Sequence, residues 1–302
     1  MDVSVIIVNY NTKELTKNCI DSIFAHTIGI SYEVIVVDNA SSDGSIGLFE
    51  RDGRIQLVRS DKNLGFGKAN NLGCQYAKGN YLFLLNSDTL LLNNAIKLFF
   101  DFAEAHQEER IGAIGCILKK DDGSYCHSYA PFPSIFIELI KPIMIPLSRM
   151  VGKSWHYLDK PSFRAPYMPV DYVTGADLFF KKILVDQYGA FDPDFFMYYE
   201  ESEMQYRWNQ AGFVSYIIST PQIAHLEGGS YLHSRNKGRN VRKELVVTRS
   251  MFLYMKKTNL VISYLMFRLA FAIVKLPFLF FSSLSWRERK AYMRLLWGVD
   301  KI

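Results

Sequence analysis

The sequence predicts an α/β protein: a mostly parallel, twisted sheet flanked by helices, followed by a helical C-terminal extension that is both basic and apolar. Three observations carry this prediction. Apolar, β-branched runs at 3–9, 33–38 and 81–86 lack polar alternation, the pattern of strands covered on both faces. Helix-period segments alternate with these runs, which supplies the crossovers a parallel sheet needs. The charge is also divided, with 15 Lys/Arg against 3 Asp/Glu in residues 231–302 and 20 against 27 in residues 1–230.

The elements follow in order. The strand at 3–9 leads into a helix reaching His26, capped by Asn11 or Thr12, with Leu15, Cys19, Ile20, Ile23 and Phe24 on one face. Residues 33–38 form a second strand, 39–44 a polar turn and 55–58 a short third strand. A loop and helix occupy 65–78, a fourth strand 81–86, a helix 93–106 and a strand 111–118. From Pro131 to Pro169 the periodicity fails, because Pro133, Pro142, Pro146, Pro161 and Pro166 also fall in this aromatic stretch; it reads as a mobile excursion over a substrate cleft. Residues 171–181 have a strand-pair pattern, 201–211 form a helix ended by Gly212, and 214–218 form the last strand. A body of 1–230, in halves of about 1–118 and 119–230, thus precedes a tail of 231–302, with the boundary near 230–240.

Composition excludes several classes. Hydrophobic residues at 49% and charged residues at 22% are incompatible with a disordered chain. Cys19, Cys74, Cys116 and Cys126 form no CxxC pair and no zinc spacing, so neither a structural zinc site nor a disulfide framework is expected, and a reducing compartment fits. No basic leader precedes the short apolar run at 5–8, so a cytoplasmic protein is expected. In the tail, 258–286 carries only Arg268 and Lys275 as charges, yet no uncharged stretch reaches the roughly 18–20 residues of a clean transmembrane helix. A helix broken at Pro277 and lying on an anionic membrane surface is expected, with a helix packed on the body as the alternative. Nucleic acid is excluded as a partner, since the aromatics sit in apolar blocks and not among polar residues.

In a doubly wound sheet, ligands bind beyond the carboxyl ends of the strands. Those ends read Asn9-Tyr10-Asn11-Thr12, Asp38-Asn39 and Asn86-Ser87-Asp88, a polar rim suited to a nucleotide base and ribose, with a carboxylate for a metal beside a diphosphate. Gly-x-Gly-x-x-Gly does not follow the first strand, and Gly67-Lys68 is followed by Ala69, so dinucleotide and P-loop chemistry are excluded.

The ordered set VSVIIVNYN, VVDNASSDGS, NLGFGKANNLG, YLFLLNSD, VTGADLFFKK, FDPDFFMYYEESEMQYR and AHLEGGS resembles the inverting family-2 glycosyltransferases of the GT-A fold, in their bacterial rhamnosyltransferase-like branch. The resemblance covers roughly 3–257 and leaves the tail outside. It implies that Asn9, Tyr10 and Asn11 line a base pocket, that Asp38 reads the base edge or ribose, and that Asn63, Gly65 and Phe66 close over the nucleotide with Asn71 in support. Asn86-Ser87-Asp88 stands at the family's Asp-x-Asp metal motif, with Asn in the first place. Asp88 and His225 are then the implied ligands of Mg²⁺ or Mn²⁺. Gly175, Ala176, Asp177 and Glu203 are implied in sugar and acceptor binding.

The family's catalytic Asp falls on Glu201, with Glu200 beside it. Inverting transfer needs a carboxylate to take the acceptor hydroxyl's proton. Glu in place of Asp is a departure, because one methylene displaces the carboxylate by about 1 Å. The implied reaction moves a sugar from a nucleoside diphosphate, dTDP-rhamnose or a UDP-hexose, to a saccharide carried on a polyprenyl diphosphate at the membrane's inner face, in surface polysaccharide synthesis. Two readings compete. The departures at Glu201 and Asn86 permit a catalytically silent scaffold at the membrane, and a nucleotidyltransferase would need a Gly-rich basic loop after strand one, which is missing.

Overall fold

The computed structural model describes residues 1–150, 165–226, 241–281 and 284–298. The first half is a run of β–α units: β1 (Val3–Asn9), α1 (Lys13–His26), β2 (Tyr32–Asp38), α2 (Ser45–Phe49), β3 (Gln56–Arg59), α3 (Phe66–Tyr76) and β4 (Tyr81–Asn86). These strands pair in parallel in the order β3-β2-β1-β4. Along β1, Val5 and Ile7 join the core beneath α1, while Ile6 joins the core on the opposite face. Both faces are dry, which is why the strand shows no polar alternation.

Then follow β5 (Thr89–Leu91), α4 (Ala95–Ala105), β6 (Ile111–Cys116), β7 (Tyr129–Ala130), α5 (Ile135–Met150), β8 (Tyr167–Val170), β9 (Tyr172–Val173), β10 (Asp177–Lys181) and α6 (Lys182–Tyr188). The body closes with α7 (Glu200–Gln210), β11 (Val214–Ile218) and β12 (Ile223–His225). Beyond β4 the sheet is mixed: β10 runs antiparallel between β4 and β6, β11 is parallel to β6, and β8 forms an antiparallel edge.

Two expectations are corrected here. Residues 171–181 are not a hairpin, since β9 pairs with β7 while β10 enters the main sheet. The proline-rich stretch is helical over α5, where packing against the tail outweighs the helical hydrogen bond lost at Pro142. Residues 151–164 of the expected excursion, and the boundary expected near 230–240, lie outside the described residues.

The described residues of the tail form three helices, α8 (Val241–Thr258), α9 (Val261–Phe281) and α10 (Trp286–Trp297), sharing one apolar core with Phe195 of the body. The helix α9 continues through Pro277 instead of breaking there. Ile273, whose carbonyl the proline ring opposes, is 61% exposed, so solvent can take the freed acceptor. The two cations of the apolar segment face inward. Arg268 donates to the carbonyls of Leu295 and Leu296 at 2.5 and 2.9 Å, and Lys275 pairs with Glu244 at 2.9 Å. Among the described residues no helix is long and apolar enough to cross a membrane.

Candidate active site

Parallel register sets Asn9 beside Asp38 and Val8 beside Asn86, so three polar strand ends meet on one rim. Asn9 Nδ2 donates to Asp38 Oδ2 at 2.7 Å and to Ser41 Oγ at 3.0 Å, while its Oδ1 accepts from Thr12 and Thr16 at 2.9 and 2.8 Å. The other Asp38 oxygen accepts the Ser41 N–H at 2.9 Å. Asn9 and Asp38 are fully buried, so they form the floor of the rim. Its exposed edge is Tyr10 and Asn11; Asn11 has φ 55°, a left-handed conformation that Asn tolerates, and accepts the Ser42 N–H at 2.7 Å.

Asn39 ties this rim to the glycine loop. Its Nδ2 donates to Asn63 Oδ1 at 3.1 Å and its Oδ1 accepts the Leu64 N–H at 2.8 Å. At Gly65 the backbone has φ 84°, and a Cβ there would lie 2.9 Å from the carbonyl carbon of Phe196; only glycine fits both demands. The next N–H, of Phe66, donates to the Phe196 carbonyl at 3.0 Å. Asn71 fastens the same two segments, giving 2.7 Å to the Phe191 carbonyl and taking 3.1 Å from the Phe191 N–H. Its side chain is thereby turned to the loop and not to the rim.

The acidic cluster opens α7. Tyr198 and Tyr199 before it have φ 71° and 68°, conformations that cost bulky residues about 1–3 kcal/mol each and persist only when surroundings impose them. This turn delivers Glu200 and Glu201 toward the glycine loop. A Cβ at Gly175 would sit 3.2 Å from the Phe66 ring and 3.9 Å from Glu201 Cβ, and one at Gly67 would sit 3.6 Å from Glu200 Cγ. Glu201 is half-buried and Glu200 almost fully buried, and each has an Oε2 buried without a hydrogen-bond partner. Burial pushes Glu200 well above the usual carboxylate range, and the neighbouring Glu201 adds to it. Burial also raises Glu201, against the N–H groups of Glu201, Gly175 and Ser202, which favour its anion.

Glu203, two residues further along α7, is turned to a different partner. It points away, paired with Arg207 at 2.8 Å, and Arg207 in turn donates to the Ala190 carbonyl at 2.7 Å. Asp177 is likewise displaced from the expected sugar site. It is fully buried in β10, accepts the Cys116 N–H at 2.7 Å, and burial lifts its carboxyl to about 7. Ala176 is buried too, its carbonyl accepting the Asn86 N–H at 3.0 Å, so of the three only Gly175 borders Glu201.

The short strands β5 and β12 had no sequence signal, yet their pairing of Thr89 with His225 brings two implied metal ligands together. His225 Nε2 lies 3.2 Å from Asp88 Oδ1, both largely shielded. A carboxylate oxygen from the turn before β5 and an imidazole nitrogen from β12 fit a divalent ion. Among the described residues no group of three His, Cys, Asp or Glu completes a cluster, so the remaining ligands would come from water and the diphosphate.

A parallel nucleotide-type half, a mixed second half and an acidic helix facing the strand ends define a GT-A fold. The UDP complex of S. aureus TarS 1-349 superposes with TM-score 0.58 at 14% identity, over 98% of this chain and 79% of that one. Residues 4–141 match the model of Glycosyl transferase family 2. It is similar to the N-acetylglucosaminyl-diphospho-decaprenol L-rhamnosyltransferase of Mycobacterium tuberculosis, 26% identical over 64% of this chain and 66% of that one. It is also similar to the low-salt glycan biosynthesis hexosyltransferase Agl10 of Haloferax volcanii, 29% identical over 68% of this chain and 61% of the other. The chain thus spans no more than about two thirds of these relatives.

Proposed function

We propose that the protein transfers a sugar from a nucleoside diphosphate to a saccharide acceptor with inversion, Glu201 acting as general base. The observation that carries this reading is the Glu201 carboxylate itself, desolvated, bordered by Gly175 and set beside the loop that follows the nucleotide rim. The acceptor hydroxyl gives its proton to Glu201 as its oxygen bonds to the anomeric carbon. The bond from that carbon to the diphosphate breaks on the opposite face, and the nucleoside diphosphate leaves with the electron pair. Glu200 is the more deeply buried of the two, and burial together with the neighbouring Glu201 raises its carboxyl. Asp88 and His225 would hold Mg²⁺ or Mn²⁺, whose chemistry when bound is neutralisation of charge on the departing diphosphate.

The donor is dTDP-rhamnose or a UDP-hexose and the acceptor a polyprenyl-diphosphate saccharide, a reading supported by the mycobacterial relative's name. Such an acceptor requires work at a lipid surface, and α9 offers a face for it. Ile262, Leu265, Met266, Leu269, Ile273 and Phe280 are each at least 55% exposed along one side of this helix. Trp286 and Trp297 project from α10, whose exposed Arg287, Lys290 and Arg294 complement anionic headgroups. The protein is therefore read as peripheral on the inner face of the cell membrane, with 231–302 as the attaching unit.

Two experiments test this. Release of nucleoside diphosphate is screened across dTDP-rhamnose, UDP-hexoses and GDP-sugars with Mg²⁺ or Mn²⁺; no turnover of any donor would favour the silent scaffold instead. Flotation with anionic liposomes is compared for wild type and Ile262→Glu/Met266→Glu. The variant is expected to stay unbound, and equal flotation would refute the assigned face.

A further inference from the structure

The tail's first helix has a second set of contacts that membrane attachment does not require. Ser250 Oγ donates to the Met197 carbonyl at 2.7 Å, directly before the strained turn. Lys257 reaches Asp192 at 2.7 Å and Asp194 at 2.9 Å, at the start of the same loop. Between these points Phe195 is buried in the core formed by α8–α10, and the Tyr254 ring lies 5.8 Å from that of Tyr199. Lys243 sits 5.6 Å over the Tyr198 ring. Loop 192–199 is thus held at both ends by α8, and α7 begins at the next residue, Glu200.

We propose that α8 is a positioning element of the catalytic apparatus: Ser250 and Lys257 hold loop 192–199 in the left-handed turn that aims Glu201. The physical ground is that two consecutive tyrosines at positive φ relax toward ordinary backbone conformations unless contacts impose the turn. Relaxation would rotate the start of α7 and displace the Glu201 carboxylate from the acceptor hydroxyl. Displacements near 1 Å lower turnover by up to about a hundredfold without touching the nucleotide rim. The tail is then two devices, α8 acting on turnover and the outward face of α9 acting on attachment. The proposal rests on Glu201 being the base.

The test uses the full chain with the donor that the screen selects. Ser250→Ala, Lys257→Met, Ser250→Thr, Lys257→Arg and Glu201→Gln are compared for kcat, donor KM, affinity for the free nucleoside diphosphate, and Tm. Ser250→Ala and the more exposed Lys257→Met are expected to lower kcat about tenfold. Donor KM and nucleotide affinity should stay within about twofold, and the Thr and Arg variants should recover most of the rate. Normal kcat in both variants beside an inactive Glu201→Gln would overturn this proposal alone. Equal losses of kcat, nucleotide affinity and Tm would also overturn it, reducing α8 to a general support. Normal turnover by Glu201→Gln would remove the base assignment and this proposal with it.

Discussion

Replacing Glu201 by Gln removes one titratable oxygen and leaves almost everything else in place. Gln matches the side chain in size, and its amide oxygen can still accept from the Gly175 N–H that now faces the carboxylate. The loop contacts through Gly65 and Asn71 lie elsewhere, so nucleotide binding should be unchanged. The loss is confined to proton transfer, worth about 10²–10⁴ in rate, or about 3–5 kcal/mol of activation free energy. Because burial raises the Glu201 carboxyl, it is a stronger base than a solvated glutamate, which favours the upper part of that range. The wild-type rate should rise with pH as Glu201 ionises, at a pH above the ordinary carboxylate value, and the variant should lose that limb. The assay is donor turnover against pH, with nucleotide affinity from calorimetry as control. Glu203→Gln is the internal comparison, since it disturbs only the Arg207 pair and should stay within about tenfold of wild type. Glu201→Gln turning over within about threefold of wild type, or Glu203→Gln being the slow variant, would refute the reasoning.

Asp88→Asn weakens the oxygen donor beside His225 and should lower turnover by about a hundredfold or more, as should excess EDTA; full activity in EDTA would contradict the metal assignment. Gly175→Ala places a methyl group 3.2 Å from the Phe66 ring and 3.9 Å from Glu201 Cβ, so turnover should fall, and a fully active variant would show that the acceptor does not pass Gly175. Asp177 titrates at 3.8 when unfolded and about 7 when folded, so the folded state holds the extra proton between those values. Its contribution to stability is present below the unfolded value, falls as pH rises toward about 7 and is flat above. Asp177→Asn should abolish that slope and match or exceed the wild-type Tm at alkaline pH; an unchanged slope would place the titration elsewhere.

The parallel half of the fold was legible because its strands are buried on both faces. The strands β1 and β4 have the limits read from the sequence, and β2 extends one residue further. The second half was less legible, since β5, β7, β9 and β12 are two or three residues long and exist only through their partners. The helix α5 was hidden by prolines that tertiary packing overrides, and Pro277 misled in the same way. In the site, Asn9 meets Asp38 and Asp88 meets His225 across strands distant in sequence. What sequence could not show was orientation: Asp177 and Glu203 have the right chemistry but point into the core and toward Arg207. Ser41 was passed over as a turn residue, although it completes the floor, and Asn39, read only as part of the rim, also bridges to the glycine loop. Nothing in the sequence marked the left-handed pair Tyr198 and Tyr199, whose conformation depends on a helix fifty residues away.

The most direct test of the central claim is the anomeric configuration of the product formed by the purified protein from its selected donor and a polyprenyl-diphosphate saccharide, read by NMR. A single displacement driven by Glu201 predicts configuration opposite to that of the donor. Retained configuration would require a covalent or front-face route and would contradict the account.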